Sequence, residues 1–310
     1  MEKWVGWHWI MSQLGNVITH QQGNGQTLML IAHADVVKMM VTYIDESGFI
    51  YVKPYGGIDV NILPCRQVEI HHGDTKVVGI IGKKPIHLQR EETGNLSWEN
   101  IWIDIAAKNK AEATAMVSIG DYVYYQPSRI ELPNNYMSGS GLDNSCGVQV
   151  MNTVAEALKD KQVNLDLYYV ASNYEEIGMR GARVAANTIK PEICIIIDVT
   201  HATDYPGMNP IMHGDIKLGR GCVLAMGPHV DEGIYSKLKH IAEQNNIAYQ
   251  IEPSPNLTGT EASVVQVSNE GVRTAVVSIP CRYMHTPYEM VSKDDIDSAI
   301  KLIQLFIEKS

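Results

Sequence analysis

Residues 165–198 read LDLYYVASNYEEIGMRGARVAANTIKPEICIIID, and the apolar runs at the two ends of this stretch decide the fold. LDLYYVAS (165–172) and ICIIID (193–198) are short and rich in aromatic or β-branched residues, the composition of strands buried on both faces. NYEEIG between them has the texture of a turn, and the segment from Arg180 to Asn187 that of a short helix. Strand, helix and strand within about thirty residues form a βαβ unit, and such units build a largely parallel sheet flanked by helices.

Working outward, Met151, Val154, Ala155 and Leu158 recur at helical spacing, as do Ile296, Ala299, Ile300, Ile303 and Ile307. Both patterns predict helices that cover the sheet. Ser292 followed by Asp295 resembles a capping box for the last helix, with Asp in place of Glu or Gln. Between Pro64 and Pro133 the texture changes to shorter pieces, QVEIHH, KVVGIIG and DYVYYQ, separated by Gly, Pro and charged turns. The expected organisation is an α/β unit over residues 1–63 and 134–310, interrupted by a small β-rich insert over 64–133. The alternative is that these pieces extend the main sheet.

A chain of 310 residues can bury a substantial core without cross-links. Its five cysteines, Cys65, Cys146, Cys194, Cys222 and Cys281, are scattered singly with no C-x-x-C unit, which fits a reducing compartment. The opening MEKWVGWHWIMSQLGNV lacks the basic start, apolar run and cleavage site of a secretory signal, and no other run approaches membrane length. A formal charge of −10 without a basic cluster argues against nucleic-acid partners. A cytoplasmic protein with neither membrane nor nucleic-acid partners is expected.

Five places combine metal-capable side chains with predicted strand ends, where open α/β sheets gather ligands. In LIAHADVV, His33 and Asp35 are two apart and share one side of an extended chain, so a carboxylate could orient an imidazole. A hydrogen-bonded structural histidine is the alternative. In GSGLDNSCGV, Asp143 reads as a helix N-cap or as a carboxylate able to bridge two cations. Glu175 and Glu176 form either a solvated loop or a division of labour, one carboxylate holding a metal and the other taking a proton from water. Asp198 abruptly ends an apolar run, where an unpaired charge is costly, and His285 follows another such run.

In order, LIAHADVV, VVGIIGKKPIHL, WIDIAAKNKAEA, GSGLDNSCGV, NYEEIGMRGA, IIIDVTHATDYPG, TGTEASVVQVSNEG and IPCRYMHTP resemble the signature segments of metallopeptidase family forty-two. These are the glutamyl and tetrahedral (TET) aminopeptidases, some once described as endoglucanases. The resemblance implies a zinc-peptidase-like catalytic domain with a mixed, mainly parallel sheet and an inserted β-rich dimerisation domain. It implies two divalent metal ions per subunit, zinc or cobalt, with Asp143 bridging them. Glu176 and His285 would complete one site, and His33 and Asp198 the other. Asp35 would orient His33, and Glu175 would be the general base that activates a metal-bound water. Short peptides would be the substrates, cut at their N-terminal ends by a homo-oligomer, either a dimer or a tetrahedral dodecamer.

Three departures from the family pattern bear on activity and assembly. Asn144 and Ser145 follow Asp143 where Asp and Arg are usual, and Glu261 replaces an Asp. QLGNVI comes early, so an opening helix is expected to be absent. A weakened, peptide-binding or shell-forming relative is the competing reading. Glycoside hydrolysis through Glu175 explains neither His33 nor His285. The histidines at 71, 72, 201, 213, 229 and 240 read as surface or hydrogen-bonded residues, Cys146 as packing, and GRG at 219–221 as a turn.

Overall fold

Four parallel strands, Asp166–Ser172, Thr27–His33, Ile193–His201 and Arg273–Cys281, lie side by side in that order at the centre of an eight-stranded mixed sheet. The computed structural model describes residues 9–88, 96–256 and 258–310. Residues 1–8 of the opening segment and 89–95 of the expected insert lie outside them. Val17–Gln21 and then Trp9–Met11 extend one side of the sheet antiparallel, while Cys222–Met226 and Tyr249–Pro253 extend the other.

The βαβ unit forms as expected, with helix Arg180–Ile189 crossing between its strands. Those strands are not neighbours, however, because Thr27–His33 lies between them. Alternation along this central strand serves both layers. Leu28, Leu30 and Ala32 join the core under helices Leu142–Leu158, Glu232–Gln244 and Lys293–Glu308, whereas Met29 and Ile31 join the core under Arg180–Ile189 and Ala262–Val265. With both faces covered, the strand carries no polar residue between Thr27 at its start and His33 at its end.

The β-rich part is a closed barrel in the order Lys38–Ile44, Ile50–Tyr55, Trp102–Asp104, Thr75–Ile81, Gln67–His72 and Tyr122–Tyr125. It has its own core, including Val41, Ile50, Val68, Ile70, Ile103 and Val123. The boundary expected at residue 64 is therefore displaced, since the first two barrel strands precede it. KMMVTYI alternates buried and less buried residues, a period that marks a half-covered strand without naming the sheet it joins. At the other end, Arg129–Leu132 leaves the barrel and pairs with Tyr136–Gly139, which pairs with Glu289–Ser292.

The capping box at the last helix does not form. Ser292 makes no capping hydrogen bond, and the Asp295 carboxylate instead accepts the amides of Gly219 and Gly221 at 2.8 and 2.6 Å. Those glycines, at φ +74° and +95°, form the Gly-Arg-Gly turn. Among the described residues no helix is long and apolar enough to cross a membrane. None of the five cysteines is paired, and Cys146 packs in the main core.

Candidate active site

The loop after Asp166–Ser172 is held from both sides before it delivers its carboxylates. Asn16, fully buried, donates to the Gly181 carbonyl at 2.9 Å and accepts the Asn173 amide at 3.1 Å. A Cβ on Gly181 would stand 2.4 Å from the Asn16 oxygen and 2.2 Å from the Asn173 carbonyl, so the close approach requires glycine. On the opposite side the Asp35 carboxylate accepts the amides of Glu175 and Glu176 at 3.0 and 3.4 Å. Asp35 thus fixes the loop with its side chain and the His33 ring with its main chain, because His33 Nδ1 lies 3.0 Å from the Asp35 carbonyl oxygen and 3.8 Å from its carboxylate. The carbonyl–imidazole contact is thus shorter than the expected carboxylate–imidazole one, which stands beside it.

All five expected ligands converge. His33 Nε2 stands 3.1 Å from Asp143 Oδ1 and 3.5 Å from Asp198 Oδ1, while His285 Nε2 stands 3.3 Å from Asp143 Oδ2 and 3.4 Å from Glu176 Oε2. Two triads result, His33–Asp143–Asp198 and Asp143–Glu176–His285, each with its ligand atoms within 4.8 Å of one another. Asp143 belongs to both, one oxygen toward each imidazole. It is not the N-cap of its helix. Gly141, at φ +71°, holds that position, which leaves the Asp143 carboxylate unspent. Asn144 forms a cis peptide with Asp143 and is buried, donating to the Ile197 carbonyl at 2.8 Å and accepting the Gly147 amide at 3.0 Å. Its substitution for a carboxylate leaves the two triads complete, and Ser145 is exposed.

Residues without a signal in the sequence complete the surround. Glu289, almost fully buried, accepts the amides of Asp143 at 3.1 Å and His285 at 2.8 Å. Gly57, from the turn after a barrel strand, places its carbonyl 2.8 Å from His285 Nδ1 and so aims Nε2 at the carboxylates. A Cβ there would meet that ring at 3.1 Å. A lone Glu or Gly of this kind is indistinguishable in sequence from a surface residue. The histidines set aside earlier stay outside the two triads, although His201 is exposed on the cleft wall and His229 is buried.

The charge balance is lopsided, with Asp35, Asp143, Glu175, Glu176, Asp198 and Glu261 gathered about His33 and His285. Burial alone would lower His33, but Asp143 and Asp198 outweigh it and hold the imidazole well above its usual value. His285 is raised to about 9 in the same way, by Asp143 and Glu176 against burial. Burial would likewise raise Asp143, yet the two imidazoles hold it below the usual carboxylate range. Burial pushes Glu175 up to about 9, with Asp198, Glu261 and Glu176 adding to the rise and His33 opposing it. Glu176 and Glu261 rise to about 7, burial being the main cause in each.

These residues fit a cation site. Glu176 Oε1 is buried without a hydrogen-bond partner among the described residues, a cost of roughly 1–3 kcal/mol unless something cationic receives it, and Asp143 Oδ1 has the His33 ring 3.1 Å away but no aligned hydrogen bond. Imidazole and carboxylate donors suit zinc or cobalt. In front of them opens a cleft of about 700 Å³.

The model of the M42 glutamyl aminopeptidase family matches residues 15–302. The chain is 36% identical to the lysyl aminopeptidase of Pyrococcus furiosus over 303 residues, covering 96% of this chain and 86% of that protein. Its fold is similar to that of an aminopeptidase from the archaeon Desulfurococcus kamchatkensis, with a TM-score of 0.90 and 30% identity over 98% of this chain and 85% of that one. It is also similar to the Pyrococcus horikoshii TET1 peptidase, which assembles into a tetrahedron or a large octahedral shell, with a TM-score of 0.88 and 26% identity over 99% and 91% of the two chains.

Proposed function

Since the chain belongs to the M42 glutamyl aminopeptidase family and is an aminopeptidase, we propose that it removes N-terminal residues from short peptides at the Asp143-centred cluster. The observation that carries this reading is the pair of triads sharing one carboxylate. His33 and Asp198 would hold one divalent ion, Glu176 and His285 the other, with Asp143 between them. Two such ions, zinc or cobalt, would supply the positive charge that polarises the scissile carbonyl and activates water.

The chain's own residues do the rest. Glu175 takes a proton from the water whose oxygen adds to the carbonyl carbon, and passes it to the leaving amine as the C–N bond breaks. Asp35 holds the Glu175 and Glu176 amides, so the proton acceptor and the adjacent ligand keep their separate positions. Glu289 and Gly57 hold His285 from its main chain and its ring. The barrel would serve as the inserted dimerisation domain, in a homo-oligomer of the kind the P. horikoshii relative forms. A cytoplasmic location agrees with the free cysteines.

The test is hydrolysis of a panel of aminoacyl chromogenic substrates before and after chelation, then with zinc or cobalt restored. Activity that disappears on chelation and returns with metal is the expected outcome. Cleavage that survives complete metal removal would remove the cation role of the cluster.

A further inference from the structure

Beyond the cluster the cleft continues along strand Ile193–His201 toward Tyr249–Pro253. Asp198 and Thr200 are two apart and face the same side, about 6–7 Å along the strand. There Thr200 Oγ1 stands 2.9 and 3.0 Å from the two carboxylate oxygens of Glu252. Glu252 lies beside Ala225 in strand register, and Ala225 and Val276 line the same cleft. The cleft beyond the cluster thus offers both apolar side chains and a carboxylate.

Among the described residues that line the cleft, none of fixed positive charge answers that carboxylate. There is no Lys or Arg among them, and His201 is the one basic side chain outside the cluster. Thr200 has a single hydroxyl hydrogen to give, whereas an ionised carboxylate offers about four lone-pair positions, so Glu252 keeps accepting capacity.

With the proposed cation cluster taken as the reacting end of the cleft, we infer that Glu252 sets the substrate class: the enzyme selects peptides whose first residue is lysine or arginine. The methylene stem of such a residue packs along Ala225 and Val276, and its cationic end donates to the Glu252 oxygens that Thr200 holds in place. An acidic first residue meets like charge, and an apolar one leaves the carboxylate without a cation.

Rates on lysyl, arginyl, norleucyl and glutamyl p-nitroanilides test this assignment, because norleucine keeps the stem of lysine and lacks only its charge. The wild type is expected to favour lysyl over norleucyl by at least about tenfold in kcat/KM, a ratio that collapses in Glu252→Gln and shifts toward glutamyl in Glu252→Lys. Calorimetric binding of L-lysinol against L-norleucinol gives the same comparison without turnover. It therefore separates a failure at Glu252 from a failure of the cluster to catalyse. Equal wild-type preference for lysyl and norleucyl ligands would overturn the assignment, as would an equal loss of both in Glu252→Gln, which would place the carboxylate on the amine common to all substrates.

Discussion

The different tasks proposed for the adjacent carboxylates Glu175 and Glu176 give the sharpest test at the scale of single residues. An amide at Glu175 cannot accept the proton of water but has nearly the same shape, so Glu175→Gln should keep its metal content and fold while losing roughly 10²–10⁴ in rate. At Glu176, which stands 3.4 Å from His285 Nε2, the same substitution removes negative charge from a proposed ligand position. Elemental analysis of Glu176→Gln should show lowered metal, with activity partly restored by excess ion. Full turnover by a metal-replete Glu175→Gln enzyme would show that another group takes the proton. The places that supply both triads were legible in sequence because each charged side chain follows or opens a segment whose pattern is strong, but the choice of Glu176 over Glu175, and of Asp143 as more than a helix cap, came from the family resemblance. Glu289 was not. It is a single carboxylate in a short strand, and its role comes only from the amides of Asp143 and His285 that the fold brings to it.

At the scale of elements, the parallel strands were legible because burial on both faces removes polar residues from them, while strand neighbours and barrel limits depend on pairing that no local pattern encodes. Thr27–His33 could not be placed between the strands of the βαβ unit for this reason, nor Lys38–Ile44 assigned to the barrel. The last helix shows the same limit in its cap, where Asp295 turns from Ser292 to the Gly219–Gly221 turn. Burial raises the Asp295 carboxyl to about 6, above the ordinary value of about 3.9 expected in the unfolded chain. The folded state thus disfavours the ionised form, and wild type should lose stability relative to Asp295→Asn as pH rises from about 4 to about 6, with no further change above. The difference amounts to roughly 3 kcal/mol at most and should be read from the melting temperatures of both proteins across that range. A difference that stays flat from pH 4 to 7 would mean that Asp295 is not the group responsible.

At the scale of the whole molecule, closure of the barrel satisfies its strand edges within one chain. What remains unpartnered is apolar surface. On strand Thr75–Ile81, Val78 and Ile80 are 53% and 47% exposed and point outward together, and beyond the strand Ile86 and Leu88 are exposed as well. Surface of this kind on the barrel supports association by side-chain packing rather than by strand pairing. Light scattering of the wild type should give a multiple of the 34.4 kDa chain mass, and Val78→Asp with Ile80→Asp should shift the distribution to smaller species. Both side chains point away from the barrel core, so the melting temperature of the double variant should fall only as far as loss of the assembly requires. A wild-type mass of one chain would refute the oligomer. An assembly unchanged by the two aspartates would keep the oligomer and move its contact off this strand, to another face of the barrel or of the α/β unit.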